Sequence, residues 1–240
     1  MVAGGAESCI HPLTFAGFGR SRSLSTTFND DPPSSCRPFD RQRNGFVVSE
    51  GAAVVVLEEL QHARERGARI YAELRGYGTS ADAHHMTAPR ANGAGASLAM
   101  KKALRHAGLR PGQVDYVNAH ATGTSVGDSA EALAIRSLMS GPEGYANENE
   151  VTVSSTKGSI GHLLGAAGAI EAIFAILAIT EVSEPTSSLC TYYPTRTKIS
   201  DHVTECCPSY LEPTRPRCRA PVQLCAARGP AKGGERSNVE

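Results

Sequence analysis

VTVSSTKGSIGHLLGAAGAIEAIFAILAI, residues 151–179, is the stretch on which the reading of this chain turns. Its β-branched start, Val151-Thr152-Val153, stops at a polar turn over residues 154–161, and a small-residue helical run follows from His162 onward. Lys157 lies in the turn and His162 at the helix mouth. A basic side chain and an imidazole placed where a buried strand gives way to a buried helix point to chemistry rather than solubility. Residues 163–179 are apolar enough to raise the idea of a membrane span. At 17 residues with Gly165, Gly168 and Glu171 inside, they read instead as a buried helix packed close to its neighbours.

Working back from this stretch, a strand is expected over residues 114–117 and helices over 97–107, closed by Gly108, and over 129–139. Helix, strand, helix, strand, helix in this rhythm predicts an α/β layer with parallel strands and crossover helices. The loop after the 114–117 strand reads NAHATGTSVGD, residues 118–128, and places His120, Thr122 and Thr124 at the carboxyl end of a strand, where ligands bind in such sheets. His162 and Lys157 follow a strand in the same way, so the two loops are expected to converge at one sheet edge. Each histidine taken singly also reads as a satisfied packing residue. Together, two neutral imidazoles donating to one oxygen make an oxyanion hole that stabilises an enolate beside a thioester, with a nearby ammonium adding positive potential.

Further upstream, residues 46–48 and 52–57 read as two strand pieces, the second a continuous apolar run suited to a strand covered on both faces. Residues 58–67 form a short charged helix stopped by glycine, and 70–77 alternate as another strand. Residues 13–24 support a helix, and 30–40 are turn chemistry. After about residue 182 no period of 2 or 3.6 persists, and half of the 14 prolines and five of the seven cysteines fall there, so that tail reads as irregular or disordered.

Composition narrows the function classes. Lys and Arg total 24 against 24 Asp and Glu, so no global field draws the chain to nucleic acid or to an anionic membrane. Trp is absent and aromatic residues are 5%, which argues against stacking platforms for sugars or single strands. The cysteines show no CxxC spacing, so a zinc site has no support, and their odd number with no signal peptide indicates free thiols in a reducing compartment. The amino terminus, MVAGGAE, reads like the interior of a domain. Arg37, Arg41 and Arg43 read either as contacts for an acidic or phosphate-bearing partner or as structural arginines. His84 and His85 read as solvent-exposed loop residues.

Four strings carry a resemblance: VAGGAESC at residues 2–9, RPFDRQRNGFVVSEGAAVVVLEE at 37–59, NAHATGTSVGDSAE at 118–131 and SSTKGSIGHLLGAAGAIEA at 154–172. In this order they resemble the β-ketoacyl-acyl carrier protein synthases, the condensing enzymes of fatty acid synthesis, over about residues 1–179, and the discrete type II enzymes of bacteria and mitochondria in particular. The resemblance implies a thiolase-like layered αβαβα architecture, here incomplete: residues 1–80 as the end of the N-terminal half, 81–180 as a truncated C-terminal half, and 181–240 as a tail unlike the family. It implies a decarboxylative Claisen condensation of malonyl-carrier with an acyl thioester, with catalytic roles for His120, His162 and Lys157. Asp128, Glu131 and Glu171 match carboxylates that order the site, and Thr122 and Thr124 accompany them.

The same resemblance implies no cofactor, since substrates ride on the phosphopantetheine of acyl carrier protein. It implies acyl carrier protein as partner, homodimers in intact members, no metal, and a mitochondrial setting with a cytoplasmic alternative. The departures bear on activity. The family's nucleophile sits in an Ala-Cys-Ser type motif upstream of VAGGAESC, and nothing in this chain matches it. Cys9 follows the Gly-Gly strand and reads as a small core thiol. A Phe-Gly-Gly-Thr-Asn segment is also unmatched. The chain therefore reads as a catalytically impaired fragment or, alternatively, as a noncatalytic partner of a complete synthase or of carrier protein.

Overall fold

The computed structural model describes residues 1–146 and 151–181. The tail read as irregular from residue 181 lies, beyond Glu181 itself, outside the described residues, as do five of the seven cysteines. The architecture is α/β. Strand β1 (Val2–Glu7) pairs antiparallel with β2 (Gly51–Val56), from Val2 opposite Val56 to Glu7 opposite Gly51. Between them lies helix α1 (Pro12–Arg20), whose Leu13 N–H is capped by the His11 side chain and whose Pro12 occupies the favoured first turn. Helix α2 (Leu60–Glu65) follows β2, with Glu59 capping the His62 N–H at 2.7 Å.

Helix α3 (Ala94–Ala107) ends at Gly108, whose φ of 67° provides the left-handed stop expected there. Strand β3 (Tyr116–Asn118), helix α4 (Ser125–Met139) and strand β4 (Thr152–Ser154) form a parallel crossover, Tyr116 beside Thr152 and Asn118 beside Ser154. A short turn of helix, α5 (Lys157–Ile160), and a 3-10 turn (Leu164–Ala166) lead into α6 (Ala167–Glu181). Leu104 of α3, Ile135 and Leu138 of α4, and Val114, Val151 and Val153 beside or within the parallel pair form one core. Phe174 of α6 packs on Tyr116 of β3, and α6 also lies across β1 and β2, so this helix joins the two sheets.

Three expectations are corrected. Residues 70–77 form no strand: they pass over α3 without regular structure, with Ile70, Tyr71, Leu74 and Tyr77 exposed, because among the described residues no neighbouring strand supplies a ladder for them. The apolar run of β2 is covered on one face only; Ala53 is buried towards α6, while Ala52, Val54 and Val56 are exposed. The helix does not begin at His162. That residue instead bridges in parallel to Val48, its N–H donating to Val47 O at 2.8 Å and its carbonyl accepting from Ser49 N–H at 3.0 Å. Gly161 just before it has φ 71°, and a Cβ there would sit 2.8 Å from that of Ser49, so a glycine is needed for this approach. No helix among the described residues is long and apolar enough to cross a membrane.

Candidate active site

The loop after β3 is held by side chains of α4. Ala119 N–H extends the ladder to Ser154 O at 2.7 Å, and then the His120 and Ala121 N–H groups donate to the two carboxylate oxygens of Glu131, each at 2.7 Å. One turn earlier on the same helix, the fully buried Asp128 accepts from Phe39 N–H at 2.8 Å and from Gly123 N–H at 3.1 Å. A carboxylate in the first turn of a helix is also favoured by the helix dipole. Burial pushes the Glu131 carboxyl up to about 7, and its two backbone bonds oppose the shift. Burial raises Asp128 as well, opposed by the Phe39 bond and by the Arg43 charge. The Thr122 and Thr124 hydroxyls lie 3.2 Å apart and bond to each other.

The loop after β4 buries Lys157 completely. Its Nζ pairs with the Glu171 carboxylate from α6, so the ammonium is desolvated but compensated. Burial pushes the Glu171 carboxyl up, and Lys157 pulls it back down. Ser155 Oγ donates to Ala121 O at 2.9 Å and ties the two loops together.

His162 and His120 meet edge to face, with ring centroids 5.4 Å apart and planes at 81°. Phe46 backs His162 on another side, 5.2 Å away at 70°. The Leu164 N–H donates to His162 Nδ1 at 3.1 Å, so the neutral ring carries its proton on Nε2. Leu164 has a φ of 45°, a strained conformation for a side-chain-bearing residue, directly at this bond. Burial, then the Lys157 charge, then His120 push His162 down to about 3. Burial of the imidazole and then the Lys157 charge push His120 down to about 4, although the residue as a whole is exposed. Both imidazoles are neutral near pH 7, the state in which an N–H donor does not compete with a full positive charge.

The structure therefore brings His120, His162 and Lys157 to one place, with Glu171 on the lysine and Glu131 and Asp128 on the His120 loop. Sequence reasoning missed the residues that tie them down from residues 36–49. Cys36 Sγ–H donates to Lys157 O at 2.8 Å, Gly45 N–H donates to Gly123 O at 2.9 Å, and Val47 and Ser49 bond His162. Arg37 and Arg43 take the structural option: Arg37 stacks on Phe28 and pairs with Asp40, while Arg43 points into the molecule. Their place within a string matched to the family was a signal, but their charge suggested the surface.

Neither cysteine among the described residues has an activated thiol. Burial raises Cys36 to about 11, and burial followed by the Glu7 and Glu50 charges raises Cys9. Among the described residues no group of three His, Cys, Asp or Glu side chains is placed to hold a metal ion.

The family model of the beta-ketoacyl synthase N-terminal domain matches residues 1–63, and that of the C-terminal domain matches residues 71–189. The chain belongs to the β-ketoacyl synthase family. Over 169 residues it is 60% identical to the mitochondrial 3-oxoacyl-[acyl-carrier-protein] synthase of Arabidopsis thaliana, covering 70% of this chain and 36% of that protein. It is 52% identical to 3-oxoacyl-[acyl-carrier-protein] synthase 2 of Vibrio cholerae, covering 70% of this chain and 40% of that protein. Its fold resembles one chain of a solved complex of a type II PKS acyl-carrier protein with its ketosynthase, at TM-score 0.67 and 34% identity, covering 76% of this chain and 43% of that one. The fold is thus the thiolase-like ketosynthase fold, in part. The chain spans about two fifths of the length of these relatives. In β-ketoacyl synthase terms, His120, Lys157 and His162 come from the C-terminal domain, and residues 36–49, which hold them, come from the N-terminal domain.

Proposed function

We propose that this chain carries the enolate-forming half of 3-oxoacyl-[acyl-carrier-protein] synthase chemistry. The observation that carries this reading is the pair of imidazoles 5.4 Å apart, one with its Nδ1 occupied, beside a buried lysine. In this reading His120 and His162 donate to the thioester oxygen of a malonyl group carried on the phosphopantetheine of acyl carrier protein. The bond from the malonyl Cα to its carboxylate breaks, carbon dioxide leaves, and the electron pair becomes an enolate whose oxygen sits between the two N–H donors. Lys157 adds positive potential and, together with burial, keeps both rings neutral, and no cofactor takes part. In the whole enzyme the enolate attacks an acyl thioester on a cysteine. Among the described residues neither Cys9 nor Cys36 is activated; where no acyl-cysteine forms, the enolate carbon takes a proton from water and the product is an acetyl thioester.

Acyl carrier protein is the proposed partner, homodimerisation the proposed assembly of the complete enzyme, and the mitochondrion the proposed compartment, given that relatives of this degree of identity carry that designation. Malonyl-carrier incubated with the purified chain is expected to release carbon dioxide and yield acetyl-carrier, with loss of that activity in His120→Ala. No decarboxylation by the wild-type chain overturns the reading. A covalent acyl adduct on any cysteine in mass spectrometry overturns the impaired-fragment view.

A second reading, a noncatalytic partner of a complete synthase, is favoured by the outer face of the β1–β2 pair. There Val2, Val54 and Val56 are all exposed and no polar side chain interrupts them. Co-purification with a full-length synthase, with no decarboxylation, is its signature.

A further inference from the structure

We propose that Arg43, acting with Asp128, is a positioning residue that clamps the loop carrying His120, Thr122 and Thr124 onto residues 37–45 of the N-terminal domain. Its side chain is 9% exposed, deep enough that its guanidinium donors need acceptors within the protein. Four of its N–H groups find them, on both sides of the domain boundary. Nη1 donates to Asp40 O at 2.8 Å, on Arg43's own segment. Nε donates to Thr124 O at 3.2 Å, and Nη2 to Ser125 O and Ser129 Oγ at 2.9 and 2.8 Å, on the opposite one. Nε also stands 3.8 Å from Asp128 Oδ2.

Asp128 completes the clasp in the reverse direction. Its carboxylate, carried by α4, reaches across to the Phe39 N–H and back to the Gly123 N–H. Phe39 is held at φ 62° with its ring in the core, a conformation costly for a non-glycine residue unless the surroundings enforce it. Gly123, at φ 83°, lets the two loops touch: a Cβ there would lie 2.9 Å from Gly45 O. Three observations of different kinds, a guanidinium making four hydrogen bonds, a strained backbone and a glycine contact, meet on one seam. The seam ends three residues from His120 on one side and at Phe46, which packs on His162, on the other. The distance between the two imidazoles is therefore set in part by how residues 37–46 and 120–125 are pinned together.

This inference rests on the enolate-stabilising reading for its catalytic readout only. The full chain is compared as wild type, Arg43→Met, Arg43→Lys and Lys101→Met, the last an exposed residue of α3 outside the site. Steady-state decarboxylation of malonyl-carrier is measured together with the imidazole carbon–proton signals of His120 and of the exposed His62. Arg43→Met is expected to lower kcat roughly tenfold to a hundredfold with KM nearly unchanged, the scale of a small misplacement of reacting groups. It should shift the His120 signals and leave those of His62 in place. Arg43→Lys restores the charge without the planar fork and is expected to recover only part of the loss. A folded Arg43→Met with wild-type kcat and wild-type His120 signals overturns the proposal. If the wild-type chain shows no decarboxylation, the functional reading fails, and the His120 signals alone decide the clamp. If Arg43→Met does not fold, Arg43→Lys decides by the same readouts, and unshifted His120 signals with wild-type kcat in that variant overturn it.

Discussion

Residues 68–80 and residues 116–162 both contain apolar stretches of strand-like pattern, yet the chain treats them differently. The first segment runs without regular structure along α3, exposing Tyr77 by 70% and Leu74 by 54%. The second contains two paired strands and two loops whose backbone groups are satisfied by carboxylates, a hydroxyl and cross-domain strand-like bonds. The difference teaches that alternation along the chain specifies a strand only when a neighbour supplies the ladder. A loop, by contrast, is made rigid without a ladder when buried side chains take over the hydrogen bonding. The site belongs to the second kind.

The largest break in this comparison comes from the buried ion pair. Lys157→Met leaves the Glu171 carboxyl 5% exposed and without its ammonium, and is expected to cost roughly 3–5 kcal/mol in urea unfolding. Replacing both partners with apolar residues, as in Lys157→Met with Glu171→Leu, is expected to recover most of that loss, because no orphaned charge remains. A single variant within about 1 kcal/mol of wild type would mean that water reaches Glu171 and that the site is as open as residues 68–80.

A graded effect of pH separates the regions next. The His162 imidazole has its pKa pushed from 6.5 down to about 3 in the folded chain, so below pH 6.5 the unfolded state binds more protons than the folded state. The stability it contributes is fully present above 6.5 and is lost as pH falls towards about 3. Glu131, raised from 4.5 to about 7, works in the opposite sense, favouring the folded state below 4.5 and weakening it as pH rises through 7. Comparing wild type with His162→Gln isolates the histidine: the variant's acid-side decline between pH 6.5 and 3 is expected to be shallower. Equal slopes would place His162 in water.

Much of the candidate site's geometry was legible in the sequence because its parts are local. Lys157 and His162 lie five residues apart after one strand, His120 follows another strand directly, and Asp128 and Glu131 sit one helical turn apart in a single string. The stop of α3 at Gly108 was legible for the same reason, whereas the start of α6 was not. What stayed hidden is what depends on distant partners. The inward turn of Arg43, the thiol bond from Cys36 to the Lys157 carbonyl and the bridge of Val48 to His162 join residues more than 80 positions apart. No periodicity encodes such contacts. The 70–77 strand failed for the complementary reason: its pattern is sound, but its partner is not among the described residues.

Two substitutions in the open segment sharpen the contrast at the small end. Gly78 lies directly on α3, where a Cβ would stand 2.1 Å from Ala99 O, and Gly76 stands likewise 2.2 Å from Ala103 O. Gly78→Ala must lift the segment, and is expected to cost roughly 1–3 kcal/mol while raising amide exchange over residues 75–80 and leaving the Gly123 and Phe39 amides protected. Leu74→Ser should do least, within about 0.5 kcal/mol, since an exposed side chain has little apolar contact to lose. Burying a leucine fully is worth about 1.5–3 kcal/mol, so a loss on that scale in urea unfolding of Leu74→Ser would show that another layer covers the 70–77 face in solution. The unpaired strand pattern would then be half of an interface, and the two regions would differ in where their partners come from rather than in whether they have any.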